Sequence, residues 1–102
     1  MHSIAEKKLS IEDLRSLVAP IAERYGVSKV YLFGSVARGD YKEDSDYDFC
    51  IELGNIRDLI ELSGFFQELR KAVGSEIDLV DTKAIDNEFL ATILAEGVVV
   101  YG

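Results

Sequence analysis

Ile11, Leu14, Leu17, Val18, Ile21 and Tyr25 recur at intervals of three and four residues, the spacing of one helix face. Ser10 stands where an N-cap is needed, with Asp13 three residues on as a weaker form of the capping-box acid. Gly26 supplies a stop. Pro20 falls inside the pattern and predicts a kink or a split. Residues 29–33 (Lys-Val-Tyr-Leu-Phe) then read as a buried strand that ends at Gly34. After a glycine-bounded turn over 34–39 and a polar, acidic loop over 40–45, residues 46–53 form a second strand.

Gly54-Asn55 breaks that strand. Asn55 is cap chemistry for a helix running through Val73, with Leu59, Leu62, Phe66, Leu69 and Val73 as its apolar stripe. Ser63-Gly64 weakens the middle of this helix, and Gly74 ends it. Residues 76–80 read as a third strand, 86–96 as a helix carrying Phe89, Leu90, Ile93 and Leu94, and 98–101 as a short final strand. The order αβ(turn)βαβαβ implies an α/β (α+β) fold, with helices packed on a small sheet.

The chain has 102 residues, the size of one small domain. A single domain over 1–102 is therefore expected, with 1–9 as a loose leader. The formal net charge of −8 argues against extended nucleic-acid binding, where clustered Lys and Arg neutralise phosphates. It suits a site that gathers carboxylates around a cation, although most of the acids serve solubility. Cys50 is the one cysteine, so no internal disulfide forms, and its apolar run marks it as a buried core residue. No stretch approaches membrane-spanning length. The expectation is a soluble cytoplasmic protein.

Two segments carry chemistry. In Gly34-Ser35-Val36-Ala37-Arg38-Gly39, the glycines permit backbone angles and close approach that a side chain would block. A glycine turn between a strand and a helical turn aims several N–H groups at one point, which makes an anion site suited to phosphate. The Ser35 hydroxyl can bond a phosphate oxygen. Arg38 can pair with phosphate or serve as a surface charge. In Ser45-Asp46-Tyr47-Asp48, the two aspartates sit at i and i+2 of a strand and point to one face. Two ionised carboxylates on one face repel each other, and Mg²⁺, which takes oxygen ligands, relieves that. Taken alone, each segment has a bland alternative: a tight connection, and two solvated acids.

Asp78 changes the balance. It lies within Glu-Ile-Asp-Leu-Val, an apolar strand where an unpaired buried carboxylate is costly. Beside Asp46 and Asp48 it would complete a metal cluster; otherwise it pairs with a helix N-terminus or an arginine. Asp81 is the competing acid, but its turn-like neighbours make it a strand-exit residue.

Gly34-Ser35-x-Ala37-Arg38-Gly39 followed by Asp46-x-Asp48 resembles the signature of the DNA polymerase beta-type nucleotidyltransferases, and within them the minimal nucleotidyltransferases. The resemblance covers nearly the whole chain, Asp78 and the Glu96-Gly97-Val98-Val99-Val100-Tyr101 ending included. It implies a polymerase beta-like core, a small mixed sheet flanked by helices. It implies that Gly34 and Ser35 hold the triphosphate tail, with Arg38 retained in the motif. Asp46, Asp48 and Asp78 would be the catalytic, metal-binding acids, with two Mg²⁺ per site and ATP as substrate. No helical acceptor domain follows the core, so the acceptor would come from a partner or a second subunit.

The resemblance points to a HEPN-domain toxin as that partner. The implied function is transfer of AMP from ATP to a tyrosine of the toxin, with this chain as the antitoxin. Two other classes stay open: a non-catalytic module that neutralises its partner by covering it, and a small-molecule nucleotidyltransferase whose acceptor pocket a homodimer could build. An aromatic near the turn, such as Tyr41, is a candidate base reader.

Overall fold

Ser10 starts the first helix by accepting a hydrogen bond from the Asp13 N–H at 3.0 Å, and the helix α1 (Ile11–Tyr25) ends on Gly26 in the left-handed region at φ 76°. The computed structural model describes residues 9–42 and 45–102. The expected leader therefore lies outside the described residues except for Leu9, as do residues 43 and 44 of the acidic loop. Pro20 does not split α1, which runs unbroken through it. Pro20 and Ser16, whose carbonyl loses its helical donor, are both exposed, so water can take the place of the missing N–H.

The chain continues through β1 (Lys29–Phe33), α2 (Gly34–Arg38), β2 (Tyr47–Glu52), α3 (Leu59–Val73), β3 (Ile77–Asp81), α4 (Asn87–Glu96) and β4 (Val98–Tyr101). The strands form one mixed sheet in the order β3-β2-β1-β4. β1 pairs antiparallel with both β2 and β4. β3 pairs parallel with β2, which the α3 crossover makes possible.

Period-two alternation divides the sheet into two faces. Val30, Leu32, Phe49 and Ile51 join residues of α1 and α3 in the main core. Tyr31 and Cys50 point the other way and pack with Ile93 of α4. Cys50 is fully buried, and that burial pushes its thiol up to about 11, so it is an inert core side chain.

α3 departs from expectation in two ways. It begins at Leu59 rather than after Asn55. The cap is Asp58, which accepts from the Glu61 N–H at 2.9 Å, while the Glu61 carboxylate reaches back to the Arg57 N–H at 2.9 Å. Asn55 is held elsewhere, its N–H bonded to the Gly26 carbonyl at 2.8 Å. Its inward face also differs. Phe65, Leu69 and Val73 are the buried residues, Leu62 and Phe66 pack partly against the core, and Leu59 is exposed. Gly64 lets α1 approach, because a Cβ there would stand 2.8 Å from the Tyr25 hydroxyl. Tyr25 donates to Glu68 at 2.7 Å, Arg24 pairs with the same carboxylate, and the Tyr25 and Phe65 rings meet edge-on. Among the described residues no helix is long and apolar enough to cross a membrane.

Candidate active site

The sheet register assembles the site. Phe33 at the end of β1 is the cross-strand partner of Asp48, and Asp48 is in turn the partner of Asp78 on β3. Tyr47 and Phe49 point into the main core, so Asp48 between them faces the side that α4 covers. Asp46 stands just before β2, which begins at Tyr47 rather than at the expected residue 46, so strand alternation does not fix its side, and it acts on Asp48 through its charge. Asp78 is on the same face as Asp48 by alternation along β3, because Ile77 and Leu79 pack toward the main core.

Asp48 is half-buried, whereas Asp46 and Asp78 are exposed. The exposure of Asp78 corrects the expectation of a buried carboxylate. β3 is one of the sheet's two edge strands, and water reaches it. Asp78 nevertheless lies close enough to Asp48 for a side-chain hydrogen bond between the two carboxyls. The Asp48 carboxyl is pushed up to about 6, first by burial, then by the Asp78 charge and the bond to it, then by the Asp46 charge. The Arg38 guanidinium opposes this.

The glycine turn touches this carboxylate directly. Gly34 has φ 79°, and a Cβ on it would lie 2.2 Å from Asp48 Oδ2. Only glycine meets both conditions, a left-handed backbone and a neighbour where a side chain would be. α2 starts here, and its N-cap Phe33 offers no side-chain acceptor, so the first-turn N–H groups around half-buried Ser35 are left to other partners. Gly39, at φ 84°, closes α2 by donating to the Ser35 and Val36 carbonyls. Arg38 is exposed and contacts Asp40 at 3.2 Å, with its charge felt at Asp48. Ser45 closes the turn before β2 by accepting from the Lys42 N–H at 2.8 Å.

Gly34, Asp48 and Asp78 therefore meet in one row, with Asp46 and Arg38 acting on it through charge. Asp81 stays apart. It sits opposite Ile51, toward the far end of β3, and accepts from the Lys83 N–H at 3.0 Å, the strand-exit role. Among the described residues no three His, Cys, Asp or Glu side chains surround one common point. The donor set still fits Mg²⁺. Its carboxylates supply hard oxygens, their mutual repulsion is what a divalent cation relieves, and Mg²⁺ commonly takes one or two carboxylates and completes its shell with phosphates and water. The sequence reading assigned Phe33 only to a strand, yet it stands beside Gly34 as the cross-strand partner of Asp48. Its signal was its position directly before Gly34.

Residues 17–102 match the family described as polymerase beta, nucleotidyltransferase. The chain belongs to this nucleotidyltransferase family. It is similar to the protein adenylyltransferase MntA of Thermococcus cleftensis, 31% identical over 96 residues that cover 90% of this chain and 97% of that one. The fold is that of a solved minimal nucleotidyltransferase, with a TM-score of 0.76 at 29% identity, covering 88% of this chain and 95% of the other. A MNT antitoxin solved in complex with tri-AMPylated Shewanella oneidensis HEPN toxin has a TM-score of 0.67 at 20% identity, covering 91% of this chain and 73% of the match. At that identity the likeness is one of fold.

Proposed function

We propose that this nucleotidyltransferase moves AMP from ATP to a tyrosine hydroxyl of a partner HEPN-domain toxin in the cytoplasm, and so acts as its antitoxin. One observation carries this reading: Gly34 lies against Asp48. A backbone turn shaped for phosphate and a carboxylate pair suited to Mg²⁺ then form a single site, rather than two unrelated features. The adenylyltransferase name of the Thermococcus relative supports AMP as the group moved.

In this reading Gly34 and Ser35 hold the triphosphate tail through N–H groups and the hydroxyl, and Arg38 adds positive charge at the rim. Asp46 and Asp48 would hold Mg²⁺, with Asp78 binding beside the acceptor, for two ions per site. When bound, the ions would neutralise the triphosphate and stabilise charge on the entering and leaving oxygens. The acceptor oxygen attacks the α-phosphorus, the bond from that phosphorus to the bridging oxygen breaks, and pyrophosphate leaves. Asp78 favours loss of the acceptor's proton.

Label transfer tests the proposal. The chain is incubated with its partner, Mg²⁺ and ATP labelled on the α- or the γ-phosphate. Label is expected in the partner from the α-position alone, and none with the Asp46→Asn/Asp48→Asn variant. Label in a small molecule would turn the reading toward a small-molecule transferase. A complex that forms and silences the partner without any label would leave the covering module.

A further inference from the structure

We infer that the Phe33–Phe89 pair is a stacking wall for the nucleobase of the bound nucleotide. The inference rests on the nucleotidyltransferase reading above and goes beyond it by naming what holds the base.

The argument runs along α4. Ile93 is buried against Tyr31 and Cys50, which are cross-strand partners on the acid-bearing face. The next pair on that face is Phe33 and Asp48. One helical turn back from Ile93 along α4 is Phe89, and a turn climbs about 5.4 Å, close to the roughly 6.6 Å that separates alternate strand residues. Phe89 accordingly stands over the acid row, its ring 5.7 Å from that of Phe33 and edge-on at 81°. α4 thus delivers an aromatic side chain to the row where the sheet delivers Asp48.

Phe89 is 40% exposed despite this contact. Core packing uses only part of the ring, and the rest is an apolar surface in an otherwise polar, charged site. Phe33 directly precedes Gly34, so this pair lies beside a triphosphate held on the turn, within reach of its nucleoside. Every base presents a π-face, so stacking gives affinity with little discrimination between bases.

The test compares ATP with inorganic tripolyphosphate, which carries the phosphates and no base. Both are titrated in Mg²⁺ against the wild type, Phe89→Leu and Phe89→Trp. Phe89→Leu keeps apolar packing on Phe33 and is expected to weaken ATP about tenfold, the factor given by about 1.4 kcal/mol of stacking. Tripolyphosphate binding should not change, and Phe89→Trp should hold ATP at least as well as the wild type. Unchanged ATP affinity in Phe89→Leu would overturn the stacking wall while leaving the nucleotidyltransferase reading intact. Equal loss of both ligands would also overturn it, because Phe89 would then shape the phosphate site or the fold. A wild type that binds neither ligand would instead sink the nucleotide reading, and the wall with it.

Discussion

Gly34 is where two demands on one residue meet. Its backbone is left-handed, and the space a side chain would fill holds the Asp48 carboxylate. Gly34→Ala is expected to cost about 1–3 kcal/mol of stability from the backbone alone. It should also abolish ATP binding, because the added methyl displaces Asp48; thermal melts and a nucleotide titration check both. Asp48 itself gives a pH signature in metal-free buffer. Burial and the neighbouring acids push its carboxyl up to about 6 in the folded chain, from an ordinary value of 3.8. Between those values the folded chain holds a proton that the unfolded chain has lost, so this group's contribution to stability falls as pH rises through the window. Asp48→Asn removes the penalty. The variant should match the wild type below about pH 4 and exceed it above pH 6 by about 1–2 kcal/mol, once solvent screening is allowed for. Denaturant melts in chelator across this range check the sign. The same substitution should lower AMP transfer about a hundredfold or more.

At the scale of elements, ends that carry their own cap chemistry were legible and ends that depend on distant contacts were not. Ser10 and Gly26 fix α1 locally. The start of α3 was misplaced because Asn55 and Asp58 are both cap residues, and the sequence does not show that Asp58 makes the capping bond while Asn55 lies against the Gly26 turn. Asp58→Ala should therefore cost about 1 kcal/mol, read from urea melts. A cost near zero would place the cap elsewhere. The face of Asp48 follows from strand alternation and could be read directly, whereas Asp46 falls just before the strand. The partnership of Asp78 with Asp48 could not, since register across a crossover is set by how α3 packs; the family resemblance supplied it. The exposure of Asp78 was misread because an apolar strand sequence does not reveal that the strand lies at a sheet edge. Phe89 was visible as one apolar residue of a helix, and its place over the acids emerges only when α4 is laid on the sheet.

Across the whole molecule, the two faces of the sheet divide the work. α1 and α3 cover one face with most of the apolar core, and the smaller cluster under α4 leaves the end of the other face to the acids and the glycine turn. In the proposed reading nucleotide is met through Mg²⁺ and backbone N–H groups rather than through a basic surface, which the formal charge of −8 suits. The described residues place the glycine turn and the carboxylates together, and in the proposed account the turn holds phosphate and the acceptor hydroxyl arrives on another protein. The most direct test is the intact mass of the proposed HEPN partner, purified, after incubation with this chain, ATP and Mg²⁺. The account predicts a partner heavier by whole AMP units, and no gain with the Asp46→Asn/Asp48→Asn variant. A partner of unchanged mass, in a formed complex with ATP bound, would contradict it.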